Sequence, residues 1–155
     1  MLVLKIAFAL GLVSLLNALA AAQQTESGNS KADKTCTPES LVGRYVIVGG
    51  EKEGVKEPDE RIKGTTVTFS KDTVVVADKD KKEIYSASYR LNATTNPCDI
   101  TMTSRVESSG GEIARGLIQK EGDTVRLVYA LPTGEVPAAF KTKEKQLMFV
   151  LKKTD

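Results

Sequence analysis

In the segment EIYSASYRL, from Glu83 to Leu91, apolar and polar side chains alternate from Tyr85 to the end. Its apolar positions include Tyr85, Ala87 and Tyr89, and two serines and an arginine stand between them. Successive side chains of a β-strand point to opposite faces of the sheet. The segment therefore predicts a strand with one face in the core and the other in solvent.

Seven further segments have the length and composition of strands, and polar or glycine-containing turns separate most of them. They are 41–48, 64–69, 73–77, 99–103, 112–119, 124–131 and 146–152. Outside the first residues, no long stretch shows the 3.6-residue period of an amphipathic helix. Eight hairpin-connected strands form either a sandwich or a barrel, and closure of a barrel removes exposed edges. We therefore expect an all-β fold, an eight-stranded antiparallel up-and-down barrel.

The first residues have the order of a secretory signal: Lys5, an apolar run from Ile6 to Leu16, then a series of small alanines. A transmembrane anchor is the competing interpretation, but Asn17 interrupts the apolar run. We expect a cleaved signal peptide over 1–22 and a secreted or periplasmic location. Residues 23–40 are polar and predict a disordered linker, which leaves 41–153 as the barrel domain.

The charge of the chain excludes partners that are recognised by a strong field. The 155 residues carry 22 basic and 20 acidic side chains, and loss of the signal with Lys5 would lower the net charge from +2 to +1. A balanced surface does not attract nucleic acid or an anionic membrane. We expect no nucleic-acid partner and no membrane span after signal cleavage.

The chain has two cysteines, Cys36 and Cys98, and no histidine. In an oxidising compartment an isolated pair favours a disulfide over a metal site, although two free thiols are the alternative. The bond would close a loop of about 62 residues, which the chain-entropy model values at roughly 4 kcal/mol. We expect no metal and no cofactor.

The order of several short motifs resembles the small lipocalin-like domain of uncharacterised function that is abundant in planctomycete bacteria. The motifs span the predicted barrel domain, and they are Leu41-x-Gly43-x-Tyr45-x-Ile47, Thr68-Phe69, Pro97-x-Asp99-Ile100, Gly116-Leu117-Ile118, Glu121-Gly122-Asp123-Thr124-Val125 and Pro137-x-x-Phe140. The chain differs in having Tyr45 where the family usually has tryptophan. The resemblance implies a lipocalin-like barrel, here without the C-terminal helix of larger lipocalins, and no established activity.

Two functions fit these observations. In the first, the barrel is a non-catalytic binding module for a small apolar or amphipathic ligand, and its candidate ligand-binding residues are Tyr45, Tyr85, Tyr89 and Tyr129. In the second, the tyrosines fill the core, and the protein is a structural or interaction domain that binds a partner protein of the cell envelope. Loops 49–63 and 132–145 are long enough to meet such a partner. An enzyme fits less well, because histidine, the usual general base, is absent.

The signal assignment predicts where the exported protein begins. Small residues at Ala20, Ala21 and Ala22 follow the apolar run, so cleavage should leave an N-terminus near Ala21 or Gln23. Intact-mass spectrometry of the exported protein measures this terminus. Exported protein that retained Met1 would contradict the assignment.

Overall fold

The computed structural model describes residues 36–109 and 111–155, so the predicted signal segment lies outside the described residues. In these ranges the chain forms nine β-strands and two short α-helices. The helices are α1 (Pro38–Leu41) and α2 (Asp59–Ile62). The strands are β1 (Gly43–Lys52), β2 (Val55–Lys56), β3 (Thr66–Phe69), β4 (Thr73–Ala77), β5 (Glu83–Asn92), β6 (Cys98–Ser104), β7 (Ile113–Glu121), β8 (Thr124–Ala130) and β9 (Gln146–Lys153).

Every strand except β2 belongs to one closed antiparallel barrel. Neighbours in sequence pair from β3 to β9, β1 pairs with β3, and β9 returns to pair with β1 from Tyr45–Lys153 to Lys52–Leu147. The short β2 extends β1 as a two-residue hairpin strand. The predicted all-β, eight-stranded up-and-down barrel is therefore confirmed.

The barrel has two different ends, because strands that run alternately up and down place every second connection at the same end. One end, the plug end, carries α1 and the short turns β3–β4, β5–β6 and β7–β8. The other, the mouth end, carries the connections β1–β3, β4–β5, β6–β7 and β8–β9. The β1–β3 connection contains α2, which thereby lies at the mouth end.

The structure differs from the expected domain boundaries at residues 36–40, for which the polar composition predicts a disordered linker. Cys36 is buried, and α1 begins at Pro38 after a capping box in which Thr37 and Ser40 bond each other's backbone. Leu41, at the end of α1, is fully buried. These residues are ordered because the capping box satisfies the polar backbone of the helix and Leu41 buries apolar surface. The rest of the expected linker, 23–35, lies outside the described residues.

Three aromatic rings and Leu41 fill the plug-end half of the barrel. Phe69 packs edge-to-face on both Tyr45 and Tyr89, with ring centroids 5.8 Å and 5.6 Å away. The hydroxyl of Tyr45 donates a hydrogen bond to the carbonyl oxygen of Leu41 at 2.8 Å. Such ring pairs add about 0.5–1.5 kcal/mol each beyond the burial of their area. This half of the interior is a packed core.

A close approach of β7 to β8 depends on the absence of a side chain at Gly116. A Cβ atom there would lie 2.6 Å from the Cα of Tyr129 and closer still to the carbonyl oxygen of Val128. Both neighbours are backbone, so no rotamer change can relieve the overlap. Glycine is therefore required at this position for the two strands to pair.

We expect Gly116→Ala to lower the free energy of unfolding by about 3 kcal/mol or more, because overpacking against backbone forces the strands apart. The matched control is Gly122→Ala in the β7–β8 turn. Its φ is +58° and an added Cβ would meet no atom within 4 Å, so the cost is only the left-handed backbone, about 1 kcal/mol. Urea unfolding measures both, and equal losses would contradict the close-approach argument.

Candidate functional site

The mouth-end half of the barrel interior contains an open cavity of about 280 Å³. Its lining combines ten apolar side chains with four that carry polar groups. The apolar side chains are Ile47, Ile62, Val67, Val74, Val76, Ile84, Met102, Leu127, Phe149 and Leu151; the others are Arg61, Thr65, Tyr85 and Tyr129. The site is thus a mainly apolar space with few polar groups, the usual composition of a small-molecule pocket.

The cavity exists because the strands supply small side chains at this level of the barrel. Val67 on β3 and its register partner Val76 on β4 face inward here, whereas Phe69, two residues further along β3, belongs to the aromatic cluster of the plug end. Ile62 of α2 is buried against the mouth, whereas Arg61 and Ile84 also line the cavity and are exposed. The cavity therefore reaches solvent beside α2 and the start of β5.

The hydroxyls of Tyr85 and Tyr129 are the polar groups that the strands supply to this cavity. In the described part of the chain neither has a hydrogen-bond partner. No fully buried side-chain polar atom of the described residues lacks a partner, so neither hydroxyl is fully buried. Burial raises the pKa of each tyrosine above its ordinary value, with a smaller contribution from Glu112 for Tyr85 and from Tyr85 for Tyr129. Both are neutral phenols at physiological pH.

A smaller recess of about 190 Å³ adjoins the cavity at the same two tyrosines. Tyr85 and Tyr129 line both spaces, and the recess adds the polar side chains of Ser104 and Glu112. The two rings therefore stand between an apolar chamber and a more polar recess. A bound molecule that is apolar at one end and polar at the other matches this division.

Arg61 brings a charge to the mouth, and that charge is paired. Its guanidinium lies 3.4 Å from the carboxylate of Glu57, whose side chain is only 11% exposed while that of Arg61 is 71% exposed. A shielded carboxylate holds its partner in place better than two exposed groups hold each other. Arg61 can donate further hydrogen bonds to a ligand without leaving Glu57, because a guanidinium has five donors.

The two long loops at the mouth are bonded to each other. Glu51, at the end of β1, accepts hydrogen bonds from the backbone and hydroxyl of Thr142 in the β8–β9 connection, and these bonds lower its pKa. Thr142 in turn accepts a bond from the backbone of Gly54 at 2.8 Å. The side-chain amide of Gln146, the first residue of β9, donates a hydrogen bond to the backbone carbonyl oxygen of Glu135 in the same connection. These hydrogen bonds hold the end of β1 and the β8–β9 connection together at the mouth end.

The four candidate tyrosines all point into the barrel, but the structure divides them into two pairs. Tyr85 and Tyr129 line the cavity. Tyr45 and Tyr89 lie in the aromatic cluster of the plug end, where their hydroxyls bond the backbone carbonyls of Leu41 and Ser70. Tyr85 and Tyr89 share one face of β5 but lie toward opposite ends of that strand, so only Tyr85 of the two lines the cavity.

The two cysteines also lie at the plug end. Cys36 precedes α1, Cys98 begins β6, and both are buried. The structure has them as free thiols that lie near each other but not at disulfide distance, so no bond joins them in it. Burial, together with the neighbouring Cys98, raises the pKa of the Cys36 thiol.

Comparison with protein-family models, with curated proteins and with solved structures found no match to this chain. Across 36–109 and 111–155, the helices are too short and too polar to cross a membrane.

The sequence-based candidates omit Arg61, Ile62 and Thr65, which α2 and the residues after it bring to the mouth. A signal for this helix is present in the sequence, since Pro58 is followed at once by Asp59 and Glu60. Proline and acidic residues are both favoured at the start of a helix. Four residues are too few to show a helical period, however, so the pattern of the segment predicts only a charged loop.

The buried tyrosines predict a loss of stability at alkaline pH. Burial raises the pKa of Tyr89 to about 12, with smaller contributions from Asp72 and other neighbours, whereas the unfolded value is 10.0. Because the pKa of Tyr89 is higher in the folded than in the unfolded chain, its contribution to the free energy of unfolding is fully present below pH 10. That contribution is lost as the pH rises from 10 to 12. We expect Tyr89→Phe to flatten this fall, measured by urea unfolding at each pH. A slope unchanged by the substitution would contradict the assignment.

Proposed function

We propose that the protein is an exported, non-catalytic binding module that holds one small apolar or amphipathic ligand in the mouth-end cavity. The observation that carries the proposal is the apolar chamber of about 280 Å³ with two tyrosine hydroxyls that lack a partner among the described residues. The closed barrel supports this use, because an eight-stranded barrel is wide enough for one small ligand. The order of sequence motifs supports membership of the lipocalin-like family, and the predicted signal peptide supports export.

The size of the chamber limits the ligand. A dry apolar cavity of about 150 Å³ binds benzene, so a chamber of about 280 Å³ suits one or two rings or an alkyl chain of similar bulk. Phenol hydroxyls and a guanidinium donate hydrogen bonds. The preferred ligand therefore has an apolar body and a hydrogen-bond acceptor at its polar end.

The residues that line the chamber also support a binding function without catalysis. The titratable residues that line the chamber are Arg61, Tyr85 and Tyr129. The raised pKa values of both tyrosines keep them protonated at neutral pH, and a protonated phenol is a poor general base. The alternative, an envelope interaction domain with a filled core, agrees with the packing of the plug end but leaves the chamber without a purpose.

The first test is binding of the apolar fluorophore N-phenylnaphthylamine to the full chain and to Val76→Phe. Val76 lines the chamber and is only partly buried, so a phenylalanine ring there occupies ligand space. We expect the affinity to fall by about tenfold or more, which corresponds to about 1.4 kcal/mol. Thermal unfolding of the variant checks that the fold persists. A wild type that binds no probe, or equal binding by the variant, would overturn the proposal.

The same experiment can locate the polar end of the ligand through a matched pair of hydroxyl deletions. Tyr129 lines the chamber, and Tyr129→Phe removes a hydroxyl with no partner among the described residues, whereas Tyr89→Phe removes one that is bonded to Ser70. Displacement of the probe by octanoate should weaken about three- to tenfold in Tyr129→Phe, since one hydrogen bond contributes about 0.5–1.5 kcal/mol. Tyr89→Phe should lower the melting temperature and leave octanoate binding unchanged. The reverse pattern would place the polar end elsewhere.

A further inference from the structure

The helix α1 has few attachments to the rest of the barrel. Its capping box, between Thr37 and Ser40, lies within the helix itself, and the bond from Tyr45 to the carbonyl of Leu41 spans only four residues. A four-residue helix is not stable alone in water, so packing must hold it. Leu41 and Cys36 are the residues of this segment that belong to the buried core cluster of the barrel, and Cys98 is a member of the same cluster.

We propose that Cys36 and Cys98 are a disulfide site that fastens α1, and the chain before it, to β6 at the plug end of the barrel. The two side chains are each 5% exposed, belong to the same buried cluster and lie near each other, although not at disulfide distance. Each stands at a junction, one just before the helix and one at the first residue of a strand. A bond between them would convert a short docked helix into a fixed part of the barrel.

The oxidant is a small disulfide such as oxidised glutathione. A thiolate of one cysteine attacks a sulfur of that disulfide and releases one glutathione thiolate, which takes up a proton. The second protein cysteine, as its thiolate, then attacks the mixed disulfide at the protein sulfur and releases the second glutathione. The protein loses two electrons and two protons, and the oxidant becomes two thiols.

Burial determines when this exchange happens. The pKa of the Cys36 thiol is raised by burial and by Cys98, and exchange needs a thiolate that the oxidant can reach. Exchange should therefore proceed when α1 has detached from the plug end, during folding or local opening. Once α1 docks, the bond is shielded from reductants by the same packing.

In the test, the full-length chain is refolded in two samples, one with oxidised glutathione and one without it. We expect no free thiol after denaturation of the oxidised sample, and a cross-linked peptide pair containing Cys36 and Cys98 by mass spectrometry. The oxidised protein should melt about 10 °C or more above the reduced one, because the bond closes a long loop. Cys36→Ala/Cys98→Ala is the matched control, and its melting temperature should not respond to oxidant.

A second measurement separates the bond from general packing. Proteolysis of the folded protein should cut near α1 faster in the reduced sample than in the oxidised one, while cuts in the mouth loops stay equal. Two thiols that remain free after oxidative refolding, or glutathione adducts in place of the bond, would overturn the proposal. Octanoate binding should be the same in both redox states, so the failure of this proposal and that of the ligand proposal can be told apart.

Discussion

The pairing of β1 with β9 is the constraint on which the rest of the structure depends. It joins the first and last strands of the barrel from Tyr45–Lys153 to Lys52–Leu147 and leaves no free edge among those eight strands. Closure creates an interior whose width is set by the strand number. The side chains on the inner faces must either fill that interior or leave a space. The packed core and the cavity are thus two outcomes of the same closure.

Which outcome occurs at each level is decided by side-chain volume. At the plug end, Tyr45, Phe69 and Tyr89 meet edge to face, and Leu41 covers them. At the mouth end β3 and β4 contribute valines, and the rings of Tyr85 and Tyr129 stand at the wall of the chamber. The alternation of polar and apolar residues is the same in the plug-end and mouth-end halves of the strands. The size of the inward-facing side chains, and not the polar pattern, therefore decides which end is packed and which end contains the cavity.

The same distinction explains what the sequence could predict. Alternation in Glu83–Leu91 is sufficient to assign β5 and its inward face, and the turns place most other strands within a few residues of their observed bounds. The inward face of β4 could not be assigned, because its three consecutive valines carry no polar marker. Neither helix is predicted, since four residues show no period. The sequence shows that Tyr85 and Tyr89 share one face of β5, but it does not show at which end of the barrel each ring lies.

The tyrosines show how one residue type acquires two roles in one barrel. At Tyr45 and Tyr89 a backbone carbonyl accepts the hydroxyl proton, so ring and hydroxyl are both consumed by the fold. At Tyr85 and Tyr129 the ring contributes to the wall while the hydroxyl has no partner among the described residues. In the proposed binding function, either hydroxyl would donate its proton to an acceptor on the ligand. Tyr45 and Tyr89 have no such role in that proposal, because their hydroxyls already donate to backbone carbonyls of the fold.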